Sequence, residues 1–186
     1  MTNGHILRVA SHSKTFTATA IMKLVENKKL KLDDKVSQYL PWFKSRSDVR
    51  IANVTIKQLL NHSAGIIRDG EDCDYWQTMR EFPDQEELQK YITKAQLYYG
   101  PDVRLKYSNF GYGYLGLVIA AVTGTSYRDY VTANVVNKMK LKKTGPDLDA
   151  KSRKYLTSGY GGELDGRRAK IKKMIDTRDL SSATGF

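Results

Sequence analysis

At 186 residues the chain is long enough for one ordinary core, burying about 70% of the surface that an unfolded chain of this size exposes. With 40% hydrophobic and 27% charged residues it is globular in composition, and it shows no repeat or low-complexity tract. The net charge of +11 raises nucleic acid as a partner. However, the basic runs 138–143 and 167–173 lack interleaved aromatics or a recognition motif, so they read as solvated faces and no nucleic acid is expected.

The first predicted helix covers 11–27 and opens on Ser11-His12-Ser13-Lys14. Phe16, Ala20, Ile21, Leu24 and Val25 recur behind it at helical spacing, and Asn27-Lys28-Lys29 suits a helix C-terminus. A serine three residues before a lysine shares its helix face, with Cβ atoms about 5–6 Å apart. A hydroxyl is a poor nucleophile until a base takes its proton, and a lysine amine serves if burial lowers its pKa. The helix N-terminus also favours a developing anion near Ser11. The bland alternative is a Ser in an N-cap region followed by a solvated Lys.

An extended turn (30–34), a short helix near 34–40 and a helix over 55–61 follow. A loop with acidic residues (68–75) comes next, then a helix over 84–95 with Asp84 as N-cap. After the turn Gly100-Pro101-Asp102 stands Tyr107-Ser108-Asn109, ahead of a helix over 110–123. A Tyr107 phenol near Lys14 suits proton relay, and the Asn109 amide suits holding a substrate carbonyl. The alternative is a tyrosine packed under a loop and an asparagine capping the next helix. Gly124 reads as the C′ glycine of that helix, and Ser126 with Asp129 resembles a capping box opening a helix over 126–140. The remainder reads as loop-rich, with short strands near 154–158 and 168–171.

Cys73 is the only cysteine, so an intrachain disulfide is excluded. Glu71, Asp72 and Asp74 around it raise a thiol pKa, which argues against a reactive cysteine. The three histidines are scattered, and His62 reads as a loop anchor. No metal spacing is present, and no metal or cofactor is expected. The longest apolar run, 115–122, is far shorter than a membrane span. Met1-Thr2-Asn3-Gly4-His5 lacks the apolar segment of a signal peptide, so if Met1 is the natural start the expected location is the cytoplasm.

Four blocks together resemble the serine β-lactamase and penicillin-binding-protein superfamily, and within it the class C-like serine hydrolases and esterases. They are the segment around Ser11 and Lys14, the stretch 30–41, the block 54–65 ending in Leu59-Leu60-Asn61-His62-Ser63-Ala64-Gly65, and Tyr107-Ser108-Asn109 with its glycine-rich helix. They stand in the family's order over most of 8–145. The resemblance implies Ser11 as acyl-accepting nucleophile, Lys14 as its partner amine, Tyr107 as sharer of the general-base role, and Asn109 as substrate-orienting amide. His12 fills a position usually small or aliphatic, and Gly100-Pro101 reverses the usual order.

The family's third element is a K-T-G or H-x-G triplet on a late strand that also supplies an oxyanion amide. Lys143-Thr144-Gly145 spells that triplet, but it directly follows a helix and precedes Pro146, which cannot donate to a sheet ladder. It reads as a joint, not as the late strand. The expected architecture is mainly α: the helical region of an α+β β-lactamase/transpeptidase-like fold, with most of the antiparallel sheet missing and both ends cut short. A single partial domain is expected over 1–186, with a helical core (11–145) carrying the motifs and a loop-rich tail (146–186).

The implied activity is a serine hydrolase acting through an acyl-enzyme on small esters, amides or β-lactams. The alternative is a catalytically impaired fragment, or a non-catalytic interaction domain that keeps the motifs. Only the Ser11 amide is identified as an oxyanion donor, so weak turnover is expected, as is self-association through exposed apolar faces.

Overall fold

The glycine-rich segment after Tyr107 forms the helix around which the others pack. In the computed structural model, residues 2, 4–70, 74–77, 80–147, 152–164, 166–170 and 176–186 are described. Cys73 and part of the acidic loop lie outside them, as do Ile171 and the end of the second basic run. Six α-helices are present among the described residues: α1 Ser13–Glu26, α2 Ile56–Leu60, α3 Gln85–Ile92, α4 Asn109–Thr123, α5 Tyr127–Val131 and α6 Ser181–Thr184.

Helix α4 starts where the Ser108 hydroxyl accepts the Gly111 N–H at 2.8 Å and ends at Gly124, φ 68°. Ser108, not Asn109, is therefore the cap, which leaves the Asn109 side chain free for other work. Every residue from Asn109 to Ile119 is buried, as an apolar helix enclosed on all sides requires. It packs against α1, α2, α3, α5 and α6. At Gly116 an added Cβ would lie 2.7 Å from the Ser182 Oγ, so only glycine admits α6 this closely.

Helix α1 buries Ser13, Lys14, Thr17, Ala20, Ile21 and Leu24, a continuous stripe at helical spacing. It ends in a Schellman pattern. Lys28 takes φ 55° while the Lys29 and Lys28 N–H groups donate to Leu24 O and Val25 O, both at 2.9 Å. Thr55 and Gln58 form a reciprocal capping box that starts α2. Asp84 accepts from the Glu87 N–H at 3.0 Å and caps α3 as expected. Two expected helices prove tighter: 34–40 forms only the 3-10 turn Val36–Gln38, and 84–95 stops at Ile92.

The expected helix 126–140 divides. Ser126 caps it by accepting from the Asp129 N–H at 3.1 Å, but α5 stops at Val131 and widens into a π turn, Thr132–Val136. Val131, Thr132, Val135 and Val136 are β-branched and crowd the preceding turn, which weakens regular α geometry. Lys143-Thr144-Gly145 lies in the following loop, as expected. It lines a cleft of about 450 Å³ with Arg8, Val9 and Phe186, and Ser11 is not among that cleft's lining residues.

The described sheet has two antiparallel strands, β1 Tyr160–Leu164 and β2 Arg167–Lys170, with Tyr160 opposite Lys170. The second expected strand overlaps β2. The first does not form over 154–158: 153–155 is a 3-10 turn, and Leu156 makes only an isolated parallel bridge with Ile6. The last described residues, 176–186, pack into the helical core. Helix α6 is buried against α1 and α4, the Phe186 ring stacks on Phe16 at 4.0 Å, and Val9 N–H donates to Phe186 O at 2.8 Å.

Candidate active site

Ser11 sits in the 3-10 turn Ala10–His12 immediately before α1. Ala10 adopts φ 46°, a left-handed conformation that costs a non-glycine residue about 1–2 kcal/mol. The turn is tied down by Ser13, whose hydroxyl donates to Ala10 O at 2.5 Å and accepts Phe186 N–H at 2.9 Å. Ser11 is thereby held exposed at the positive end of a fourteen-residue helix.

Lys14, one turn on, is buried on the same face. Its Nζ lies 2.7 Å from Asn109 Oδ1, 2.8 Å from Ala183 O and 3.4 Å from Ser11 Oγ. The first two oxygens only accept, so they take two N–H bonds. In the neutral amine the third direction is a lone pair facing the Ser11 hydroxyl. Burial lowers the Lys14 pKa from 10.5, and Arg68 adds to this, while Tyr107 and Asp69 oppose it.

Tyr107 comes from the loop before α4. Its hydroxyl donates to Ser11 Oγ at 2.8 Å, and its ring lies 4.8 Å from Lys14 Nζ. The four residues singled out in the sequence, Ser11, Lys14, Tyr107 and Asn109, are thus joined in one hydrogen-bonded group. The solvated-lysine and packed-tyrosine alternatives do not describe this geometry.

Two neighbours escape a reading of the sequence. Asp69 is buried and accepts from Asn109 Nδ2 at 2.6 Å, which turns the Asn109 oxygen toward Lys14. Arg68 pairs its Nε with the same carboxylate at 2.9 Å. The loop carrying both is pinned because Asn109 N–H and Phe110 N–H donate to Arg68 O, and Ser108 Oγ donates to Ile67 O. The available signal was a charged pair directly after the apolar Ile66-Ile67.

His62 anchors the loop under Tyr107, as the sequence suggests. Its ring stands 4.5 Å from that of Tyr107 and 5.1 Å from that of Tyr112. Its Nδ1 accepts Ser108 N–H at 3.2 Å and its carbonyl accepts Lys106 N–H at 2.7 Å. Burial, helped by the Lys14 charge, depresses its pKa from 6.5 to about 4. As pH falls below 6.5 the unfolded chain takes up this proton before the folded one does. The folded state therefore loses stability between pH 6.5 and about 4. Asp179, whose carboxyl is raised by burial, acts in the opposite sense just above the carboxylate range. Comparison with His62→Asn, which keeps an acceptor for Ser108 N–H without titrating, isolates the histidine. The urea midpoint should fall more steeply in the wild type across this window, and parallel curves would show that His62 does not carry the slope.

The described residues contain no cluster of side chains suited to a metal, and no described helix is long and apolar enough to cross a membrane.

Comparison with known proteins gives the family. Residues 1–185 match the Beta-lactamase family, and the chain belongs to it. It is 33% identical over 167 residues to Protein flp of Staphylococcus aureus (strain MW2), which covers 89% of this chain and 32% of that protein. It is 26% identical over 158 residues to the teichoic acid D-alanine hydrolase of Staphylococcus aureus, covering 85% of this chain and 37% of that one. Among solved structures, the β-lactamase/D-alanine carboxypeptidase of Yersinia pestis superposes with a TM-score of 0.80 at 19% identity, over 99% of this chain and 50% of that one. The fold is therefore the helical part of the β-lactamase fold. The chain spans about a third of the length of the curated relatives it matches.

Proposed function

We propose that this chain carries the acylating machinery of a serine hydrolase, acting on small esters, amides or β-lactams. The observation that carries the proposal is the Ser11 hydroxyl held between a phenol at 2.8 Å and a buried amine at 3.4 Å. Ser11 Oγ attacks the acyl carbon as its proton passes to neutral Lys14, directly or with Tyr107. The oxyanion develops at the helix N-terminus, with the Ser11 amide as one donor. Tyr107 returns a proton to the leaving group, leaving an ester on Ser11 that water then hydrolyses. Asn109, oriented by Asp69, holds Lys14 through Oδ1 and keeps one Nδ2 proton for a substrate carbonyl.

Intact mass after treatment with a fluorophosphonate or a penicillin tests this. A single adduct on Ser11, absent in Ser11→Ala, is the expected result, and no adduct with either probe overturns it.

Turnover by the 186-residue chain should be weak, because the Ser11 amide is the one oxyanion donor identified among the described residues. Lack of a second oxyanion donor costs about 10²–10³ in rate. Leu7, Val9 and Met22 are exposed, which favours self-association. Ser11-dependent hydrolysis of p-nitrophenyl acetate at about 1–10³ s⁻¹, the range of intact enzymes, would overturn the rate expectation. A monodisperse monomer would overturn the association.

A further inference from the structure

We propose that Arg68 selects esters or amides bearing a carboxylate near the scissile bond; this rests on the assignment of Ser11 as an acyl acceptor. Arg68 is anchored in its pose. Its Nε is paired at 2.9 Å with Asp69, a carboxylate buried in the wall of the site and held in turn by Asn109. The guanidinium carbon lies 5.6 Å from the centre of the Tyr107 ring, the ring whose hydroxyl touches Ser11. One phenol therefore separates this cation from the nucleophile.

The side chain is 65% exposed, and its two terminal nitrogens meet no partner among the described residues. With Nε occupied, the end-on fork of Nη1 and Nη2 remains, and it matches the two oxygens of a carboxylate. Balancing Asp69 does not require the cation to sit over Tyr107 with its outer edge open. That placement puts a fixed positive charge where a bound acyl compound would lie. The charge is felt in the site, since Arg68 contributes to the lowering of the Lys14 pKa.

The test uses two esters that differ only at the far end of the acyl chain. p-Nitrophenyl valerate ends in a methyl group, and the mono-p-nitrophenyl ester of glutaric acid ends in a carboxylate. The burst of p-nitrophenolate gives the acylation rate without requiring turnover, and an intact-mass adduct absent in Ser11→Ala places the acyl group on Ser11. The wild type should prefer the glutarate ester by about tenfold, the scale of one hydrogen-bonded charge pair. Arg68→Gln should bring that ratio close to one, whatever it does to the valerate rate through Asp69 and Lys14. Arg68→Lys should keep part of the preference, and added salt should erode it.

A second pair, 3-carboxyphenyl and 3-carbamoylphenyl valerate, places the charge on the leaving group instead. Preference in one pair or the other, lost in Arg68→Gln, supports the proposal and shows which side Arg68 reads. Equal loss on charged and neutral esters assigns Arg68 a purely structural role and overturns it. Fluorophosphonate labelling of Ser11 with no carboxylate preference in either pair overturns the selectivity alone. Absence of Ser11 labelling by every compound overturns the site assignment and this proposal with it.

Discussion

Ser11→Ala should abolish acylation by any probe, and Lys14→Ala should slow it by at least about 10²-fold, the scale of losing a general base. The reasons differ. Ser11 supplies the bond-forming oxygen, so nothing else in the group replaces it. Lys14 supplies a place for the proton, and water or Tyr107 substitutes poorly. The pH dependence separates a base from a merely structural lysine. The burial that lowers the Lys14 pKa raises the fraction of neutral amine at any pH below 10.5. The wild-type acylation rate should therefore rise with pH and level off at an ionisation below 10.5, and Lys14→Ala should lose that limb. Removing Lys14 also strips a donor from Asn109 Oδ1 and Ala183 O, so each variant's unfolding midpoint must be compared with the wild type. A slow Lys14→Ala that retains the wild-type pH limb would show that another group takes the proton. Stoichiometric labelling of Ser11→Ala would show that the nucleophile lies elsewhere.

The sequence conveys the parts of the site that depend on local geometry. Ser11 and Lys14 are three residues apart, and helix periodicity alone puts them on one face. Asp84, Gly124 and Ser126 announce helix ends because capping chemistry is local. The meeting of Tyr107 with Ser11 spans 96 positions, and no spacing rule reaches that far. Only the ordered resemblance of four blocks pointed to it. Asp69 and Arg68 stayed hidden because a charged pair in a loop ordinarily faces water, and the burial of Asp69 follows from Asn109 and Phe110 donating to the Arg68 carbonyl. The Ser108 cap was missed because Asn109 is an equally good capping residue. Gly161 and Gly162 disguised β1 as loop, since glycine is depleted in strands. The π turn arises from packing of β-branched residues against their own helix, which a periodic pattern does not record.

Gly65→Ala should be among the most destabilising single-methyl changes in the chain, although the residue touches no catalytic atom. Gly65 adopts φ 76°, and an added Cβ would stand 2.2 Å from the Tyr99 carbonyl oxygen. That oxygen belongs to backbone, so no rotamer change relieves the clash. The left-handed conformation costs an alanine about 1–2 kcal/mol, and forcing a packed backbone apart costs about 1–3 kcal/mol more. In a chain of this size each kcal/mol lowers Tm by about 2–4 °C, so a fall of about 5–15 °C is expected. The damage should also reach the chemistry. Tyr98 N–H donates to Gly65 O at 2.9 Å, and the same loop carries His62 beneath Tyr107 and Asp69 behind Asn109. Displacement of this loop from Tyr99 moves both supports at once. Acylation of Ser11 measured well below the lowered Tm should therefore slow by about tenfold or more, since misplacement by about 1 Å costs up to about 10²-fold. A variant with unchanged Tm would show that the 65–99 contact opens freely. One with lowered Tm but unchanged acylation would show that His62 and Asp69 hold their places without it.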